Sequence, residues 1–141
     1  MLGEDLSVRG ELDLSIKYDH VKNLLCVTVE SVKNLVSRDP TSRINPFVRL
    51  YLLPDRSKRT RRRTRLFKGV TSVEFNETFE YPVGLDVLKV RQIEAAVKSE
   101  QVSFVGRAKQ RLIGIATVNL SQLDLSSGER VRCELMKIKP T

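Results

Sequence analysis

The residues best suited to chemistry in this sequence form one basic run near the middle of the chain. Seven basic residues and no acidic residue lie between positions 58 and 68, and these are Lys58, Arg59, Arg61, Arg62, Arg63, Arg65 and Lys68. Of the 25 basic residues, the 18 outside the run are matched by 17 acidic ones, so the run carries nearly all of the formal net charge of +8. Such a run forms a solvated face or binds a polyanion, which would be a nucleic acid or an anionic membrane surface.

The chain offers little else that could catalyse a reaction or hold a metal. It has no glycine-rich phosphate-binding motif, no G-x-S-x-G nucleophile motif and no H-E-x-x-H zinc motif. His20 is the single histidine, and Cys26 and Cys133 lack the spacing of a metal-binding or redox pair. Glu11 and Asp13 are predicted to share the exposed face of one strand, with no sign of a pocket. We therefore expect neither an enzyme nor a bound cofactor.

Length and composition predict one globular domain in a reducing compartment. The chain has 141 residues, of which 40% are hydrophobic and 30% charged, as is usual for soluble domains. No stretch approaches the roughly 18 apolar residues of a transmembrane helix, and the first residues lack the basic and apolar regions of a signal peptide. Two cysteines are too few for a disulfide scaffold.

Hydrophobic residues recur at every second position over most of the chain, which is typical of strands with one buried face. Leu12, Leu14 and Ile16, for example, are separated by polar residues. The pattern predicts strands at 12–18, 25–30, 47–53, 61–66, 75–81, 93–97, 112–120 and 131–135, and short helical turns at 85–91 and 121–123. Eight short strands separated by turns predict an all-β sandwich. In the fourth strand, alternation places Arg61, Arg63 and Arg65 on one face.

Several motifs, taken in order, resemble those of C2 domains. Residues 45–55 read N-P-F-V-R-L-Y-L-L-P-D, similar to the D-P-Y-V-K-L-Y-L-L-P-D strand of that family. Residues 32–35, 63–64, 75–79 and 112–114 resemble its A-x-N-L, K-T, F-N-E-x-F and L-[IL]-G motifs. The resemblance implies an eight-stranded antiparallel Greek-key β-sandwich with three loops at one end.

The resemblance also divides the chain and narrows the family. It gives a C2 domain at 10–138, preceded by a linker or expression remnant at 1–9 and followed by a tail at 139–141. The basic strand and the segment 96–99 are most similar to the C-terminal C2 domains of extended synaptotagmins. Class II phosphoinositide 3-kinases and synaptotagmin-like proteins carry similar domains. The resemblance therefore implies a monomeric domain within a longer chain.

Calcium-binding C2 domains use five aspartates, and the resemblance allows each position to be checked here. The matching positions are Asp39, Asn45, Ser99, Gln101 and Arg111, so one acid of five is kept. The loop from Lys98 to Arg111 contains four basic residues and one acid, Glu100. Calcium requires six to eight oxygen ligands with sufficient negative charge. We therefore expect no metal at these degenerate positions.

In many C2 domains, a basic cluster on the concave face of the third and fourth strands binds phosphoinositide head groups. The positions that match this cluster are Arg49, Arg61, Arg63 and Arg65. Phe47 and Tyr51 share the face with Arg49 and are predicted to shape the floor of the site. Lys58, Arg59 and Lys68 would add diffuse attraction. Arginine holds phosphate oxygens in a bidentate manner, which lysine does not.

These residues predict a calcium-independent module that binds anionic phospholipids, with phosphatidylinositol bisphosphate as the expected ligand. The resemblance implies a larger lipid-transfer or membrane-contact-site protein in the endoplasmic reticulum membrane, with this domain peripheral at the cytoplasmic face of the plasma membrane. The alternative is a protein-interaction module whose basic strand docks an acidic partner. Nucleic acid is the least favoured polyanion, because stacking requires aromatic residues and the run has none up to Arg65.

Overall fold

A computed structural model describes residues 8–37, 42–102, 106 and 108–136. Within these residues the chain forms eight strands and two short 3₁₀ helices. The strands are β1 (Val8–Asp19), β2 (Leu24–Lys33), β3 (Pro46–Leu53), β4 (Arg62–Arg63), β5 (Val73–Tyr81), β6 (Gln92–Val102), β7 (Ala108–Asn119) and β8 (Glu129–Met136). The helices are Leu85–Val90, which lies before β6, and Leu120–Gln122, which follows β7 directly.

The strands are arranged in the order β4-β3-β6-β7-β8-β1-β2-β5, and each neighbouring pair is antiparallel. At the junction of β7 and β8, the register contains a single pair, Ile115 with Met136. The eight strands therefore form two four-stranded sheets, β4-β3-β6-β7 and β8-β1-β2-β5, which pack face to face. The predicted all-β, eight-stranded antiparallel sandwich is confirmed.

Alternate residues of the strands point into a core between the two sheets. Leu12 and Leu14 in β1, Val48 and Leu50 in β3, and Ile93 in β6 are all fully buried. Burying a side chain of this size stabilises the fold by about 1.5–3 kcal/mol. Because the side-chain period of a strand is two, the residues between these positions must point away from the core.

The first strand begins earlier than the sequence predicted. Val8 pairs with Met136 of β8, and Arg9 follows it in β1 with its side chain largely buried. These two residues therefore belong to the sheet and not to the predicted linker. The predicted tail at 139–141 lies outside the described residues.

The predicted fourth strand is much shorter in the structure, where only Arg62–Arg63 form a regular ladder with β3. The threonine hydroxyls on either side explain the difference. Thr60 Oγ1 accepts a hydrogen bond from the amide of Leu52 at 3.2 Å, and Thr64 Oγ1 accepts one from the amide of Val48 at 2.9 Å. Side-chain acceptors thus replace the backbone carbonyls that a longer strand would supply.

Asp13 does not lie on an exposed face, as the sequence predicted, but is buried. Its carboxylate accepts hydrogen bonds from Arg130 Nη2 at 3.3 Å and Arg132 Nε at 3.2 Å. Burial alone would raise the pKa of Asp13, but the two guanidinium groups outweigh it and hold the pKa below its ordinary value. The alternation in β1 predicted which residues enter the core. It did not predict that two arginines of β8 would cover the Asp13 side chain.

Candidate functional site

The outer face of β3 carries aromatic and basic side chains. Phe47 and Arg49 alternate with Val48 and Leu50, which belong to the core. Phe47 is nevertheless fully buried. The guanidinium carbon of Arg63 lies 3.9 Å from the centre of its ring, which is a close cation–π contact. Arg63 therefore covers an aromatic residue that would otherwise face solvent.

The same relationship recurs in the basic run and at Arg49 of β3. Three further arginines lie over aromatic rings, with Arg62 4.3 Å from Tyr81, Arg49 5.3 Å from Tyr51 and Arg65 5.4 Å from Phe67. Phe47 and Tyr51 thus lie beneath Arg63 and Arg49, where the sequence placed the floor of the site. Three of these four rings lie in β3 and β5, and only Phe67 belongs to the run. The sequence of the run therefore does not show that its arginines pack on aromatic rings.

Three cations surround Phe47 on this side of the sheet. Arg63 is directly opposite Arg49 in the pairing of β4 with β3, and Lys98 is directly opposite Phe47 in the pairing of β6 with β3. Opposite side chains have Cβ atoms about 4.5–5.5 Å apart, and diagonal neighbours are about 7–8 Å apart. We call Arg49, Arg63, Lys98 and Phe47 the basic face.

The basic face contains positive charge that no acidic side chain of the described residues neutralises. Within the described residues, neither Arg49 nor Lys98 has a carboxylate partner, and the buried Nε of Arg49 has no hydrogen-bond partner. Burial and the nearby charge of Arg49 both lower the pKa of Lys98. Like charges at this spacing repel each other, so the arrangement favours a multivalent anion that touches both.

Two of the arginines in the run do have carboxylate partners. Arg63 Nη2 lies 3.4 Å from Glu100 Oε1, at the end of β6. Arg65 Nε lies 3.6 Å from Glu77 Oε2 in β5, and the same oxygen accepts the backbone amide of Arg65 at 2.9 Å. Arg65 is therefore drawn towards β5 and does not join the basic face.

The other members of the run surround the basic face or point away from it. Arg62 donates a hydrogen bond to the carbonyl of Glu80 at 2.8 Å, on the other side from Arg63, as the alternation predicted. The remaining predicted site residues are all exposed and have no ion pair within the described part of the chain; they are Lys58, Arg59, Arg61 and Lys68.

A second group of residues lies where the loop after β2 meets the end of β6. The backbone amide of Asn45 donates to Ser99 Oγ at 2.9 Å, and Asn45 Nδ2 donates to the carbonyl of Glu100 at 2.8 Å. The side-chain oxygen of Asn45 accepts the amide of Gly69 at 2.9 Å. Asn45 thus joins three segments of this end of the sandwich.

Two neighbouring positions make the same kind of connection. Gln101 Nε2 donates to the carbonyl of Arg43 at 2.9 Å, and Arg111 Nη2 donates to Ser37 Oγ at 2.9 Å. Asp39, the one acid among the five positions compared above, lies outside the described residues. The four described positions are therefore engaged in direct hydrogen bonds that join the loop after β2 to β6 and β7.

The comparison with known families agrees with the motifs and with the sandwich. Residues 23–135 match the model of the family described as the C2 domain. The chain belongs to the C2 domain family. The family match spans most of the sequence and includes β2 to β7 entirely.

Curated relatives of this C2 domain include several extended synaptotagmins. The chain is 36% identical to extended synaptotagmin-1 of Homo sapiens over 132 residues, which are 92% of this chain and 12% of that protein. It is 34% identical to extended synaptotagmin-2-A of Xenopus laevis over 119 residues, which are 84% of this chain and 13% of that protein. The chain thus spans about an eighth of the length of these relatives.

Solved structures with the same fold come from related C2 domains. A C2 domain of RIM from Drosophila has a TM-score of 0.80 and 26% identity, and the match covers 92% of this chain and 99% of that chain. The third C2 domain of the KIAA1228 protein has a TM-score of 0.82 and 27% identity, covering 100% of this chain and 98% of that chain. This C2 domain is therefore related to those of extended synaptotagmins and RIM proteins.

Residues 8–37, 42–102, 106 and 108–136 of this C2 domain contain no group of three or more histidine, cysteine or acidic side chains that could hold a metal. In the same part of the chain, no helix is long and apolar enough to cross a membrane.

Two residues of the site were not identified from the sequence. The sequence indicates only a basic loop at Lys98, yet the register of β3 with β6 places this residue beside Phe47. It indicates only a loop charge at Glu100, yet this side chain contacts Arg63. The sequence does contain a hint of the position of Lys98. It directly follows the apolar residues 95–97, so β6 could have been extended to include it.

Proposed function

We propose that this C2 domain binds anionic phospholipid membranes through the basic face, with a phosphoinositide bisphosphate as its preferred ligand. The observation that carries the proposal is the pair of cations, Arg49 and Lys98, that lie together without a carboxylate partner in the described chain. Arg63 lies directly opposite Arg49 and adds a planar guanidinium with one face held against Phe47. A head group with two phosphates matches this set of separate positive charges.

The expected affinity follows from the number of cations. Each basic residue near an anionic leaflet contributes about 1 kcal/mol. Six basic residues of the basic face and the run have no carboxylate partner in the described chain, and these are Arg49, Lys58, Arg59, Arg61, Lys68 and Lys98. Together they would give a dissociation constant of roughly tens of micromolar. Charge-assisted hydrogen bonds to a phosphate are each worth about 1.5–3 kcal/mol. A single such contact would bring the affinity for a bisphosphate lipid to about the micromolar range.

We further propose that binding does not require calcium. Three of the four described positions that would supply carboxylates carry neutral side chains, and the fourth carries the guanidinium of Arg111. Their hydrogen bonds join the loop after β2 to β6 and β7, as in the contacts of Asn45 with Ser99 and of Arg111 with Ser37. The contacts between these segments that a bound ion would provide are thus already made by side chains.

By resemblance to extended synaptotagmins, we propose that the domain is one module of a longer lipid-transfer or membrane-contact-site protein. In this proposal the parent protein is anchored in the endoplasmic reticulum, and the domain attaches it to the cytoplasmic face of the plasma membrane. The domain itself would act as a binding module and not as an enzyme.

An acidic protein segment is the second candidate ligand. The contacts of Arg63 with Glu100 and of Arg65 with Glu77 favour it, because carboxylates already occupy arginines of the run. Nucleic acid is disfavoured for a different reason from the one given by the sequence. Phe47 is fully buried beneath Arg63, so its ring has no free surface on which a base could stack.

Vesicle co-sedimentation in EGTA tests the proposal. Vesicles of phosphatidylcholine with phosphatidylserine, with or without phosphatidylinositol bisphosphate, are compared for the wild-type chain and for R49A/K98A. We expect the double variant to bind bisphosphate vesicles about thirtyfold more weakly, the result of losing about 2 kcal/mol at about 1 kcal/mol for each cation. The matched control is K17A/K22A, which removes two exposed charges, one on β1 of the other sheet and one in the turn that follows it. Equal losses in the two double variants would contradict a site at the basic face, and a wild-type chain that stays in the supernatant would favour the acidic-partner alternative.

A further inference from the structure

The pairing of Arg63 with Glu100 has a consequence for the lipid site proposed above, on which this inference rests. We propose that Glu100 is an internal occupant of the phosphate site, so that a ligand gains Arg63 only by exchanging its own anionic group for the Glu100 carboxylate. In this arrangement Arg63 binds the phosphomonoester groups of a ligand and does not bind the phosphodiester of an ordinary anionic phospholipid.

The carboxylate of Glu100 is held in position from several sides. Its Oε1 atom lies 3.4 Å from Arg63 Nη2 and accepts a hydrogen bond from Gln110 Nε2 at 3.2 Å. Its backbone is fixed as well, because the amide of Glu100 donates to the carbonyl of Asn45 at 3.1 Å and Asn45 Nδ2 donates back to Glu100 O at 2.8 Å. Glu100 is thus preorganised against Arg63.

The pair is also accessible to a ligand. The side chain of Arg63 is 43% exposed and that of Glu100 is 26% exposed. One face of the Arg63 guanidinium lies on Phe47, so its hydrogen-bonding edges are the part that an anion can reach. One of those edges is directed at Glu100. A phosphate that approaches Arg49 and Lys98 therefore meets Arg63 already engaged by a carboxylate.

Charge decides which ligands can make the exchange. The phosphodiester of phosphatidylserine carries one negative charge, like the carboxylate, and Glu100 has the advantage of being tethered next to its partner. A phosphomonoester carries about 1.5–2 negative charges and three strong acceptor oxygens. It can therefore displace the carboxylate, whereas the phosphodiester cannot. Phosphatidylserine is then bound by the remaining cations without a contribution from Arg63.

The corresponding pair of Arg65 with Glu77 does not support the same inference. Glu77 Oε2 also accepts the backbone amide of Arg65 at 2.9 Å, so it fixes the path of the chain after β4. Displacing this carboxylate would leave a backbone donor unpaired. Glu100 makes no side-chain contact with backbone among the described residues, and it is free to exchange partners.

The test is a double-mutant cycle measured with two kinds of vesicle in EGTA. The chains are wild type, R63Q, E100Q and R63Q/E100Q, together with E74Q, which makes the same charge change at an exposed position of β5. The R63Q substitution removes the charge and keeps a side-chain stem over Phe47, so the fold is retained. One vesicle contains phosphatidylserine, and the other also contains phosphatidylinositol bisphosphate.

We expect R63Q to weaken the binding of bisphosphate vesicles several-fold and to leave phosphatidylserine binding unchanged. E100Q should strengthen bisphosphate binding about two- to fivefold, as expected from releasing an exposed ion pair of up to about 1 kcal/mol. In the E100Q background, R63Q should now weaken phosphatidylserine binding too. In the R63Q background, E100Q should strengthen the binding of bisphosphate vesicles no more than E74Q does in the wild-type chain.

Several results would overturn the inference. One is an equal effect of E100Q and E74Q, which would reduce Glu100 to a contribution to overall charge. Another is a loss of phosphatidylserine binding in R63Q that is the same with and without Glu100. In either case wild-type binding to bisphosphate vesicles still supports the proposed function. If the wild-type chain binds neither vesicle, the proposed function and this inference both fail.

Discussion

The guanidinium carbon of Arg63 lies 3.9 Å from the ring centre of Phe47, a residue that is fully buried although it is on the outer side of its sheet. The contact gives Arg63 two roles in one position. Its stem and guanidinium remove an aromatic ring from water, and its polar edges are available to an anion. The residue therefore belongs to the packing of the domain as well as to its charged surface.

Arg61 and Arg63 should consequently behave differently when each is replaced by alanine. Arg61 is exposed, so R61A should keep the free energy of unfolding within about 0.5 kcal/mol of wild type. R63A exposes Phe47 and should lose about 1 kcal/mol or more. Urea unfolding measures both, and we expect each variant to bind bisphosphate vesicles several-fold more weakly. Equal stability of the two variants would show that the contact with Phe47 has no packing role.

The sequence predicted those parts of the fold that depend on residues close together in the chain, and it missed those that depend on contacts between distant segments. Alternation of apolar and polar residues predicted β1, β3 and β6 because each has one side in the core. The shortening of β4 could not be read from alternation, since it depends on hydroxyls of Thr60 and Thr64 that bond to a different strand. Inclusion of Val8 in β1 likewise depends on pairing with Met136, at the other end of the chain.

Calcium should not stabilise the domain. A site with a dissociation constant of about 10 µM would add about 2.7 kcal/mol in roughly millimolar calcium, which would raise Tm by several degrees. The described positions that would bind the ion are instead hydrogen-bonded within the protein, Asn45 to Ser99, Gln101 to Arg43 and Arg111 to Ser37. Thermal unfolding in millimolar calcium and in EGTA should therefore give the same Tm. A rise of several degrees with calcium would show that the loops hold the ion.

Asp13 should make the stability of the domain sensitive to acid. The guanidinium groups of Arg132 and Arg130 hold its pKa below the ordinary value, despite burial. Its contribution is therefore complete above the ordinary pKa of about 4 and is lost as pH falls through the lowered pKa. D13N removes that contribution, so wild type should be more stable than D13N at neutral pH by about 1–3 kcal/mol, and the gap should narrow below about pH 4.

Urea unfolding at several pH values measures this gap. E134Q is the matched control, because it makes the same kind of charge change at an exposed acid on the same strand as Arg130 and Arg132. A difference between wild type and D13N that stays constant from neutral to acid pH would contradict the assignment of Asp13.

The candidate site could be predicted only in part, for a physical reason. The resemblance to C2 domains was enough to select Arg49 and Arg63, and the alternation of β3 placed Phe47 on the same face as Arg49. Which cations stay unpaired depends on contacts between strands that are far apart in sequence. Lys98 is brought to Phe47 by the register of β3 with β6, and Glu100 of β6 reaches Arg63 of β4 across the strand between them, β3.

The salt dependence of vesicle binding in EGTA is the measurement that tests the central claim most directly. Exposed charges are screened over about 8 Å at physiological ionic strength, whereas direct contacts of Arg49, Lys98 and Arg63 with a phosphate are screened less. Phosphatidylserine vesicles should therefore bind weakly and be released at moderate salt, and bisphosphate vesicles should stay bound to higher salt. Equal salt midpoints for the two vesicles would reduce the basic face to a nonspecific charged surface. Binding that does not respond to salt would contradict the electrostatic account and indicate insertion of apolar loop residues, for which Val102, Phe104 and Val105 are the candidates in the sequence.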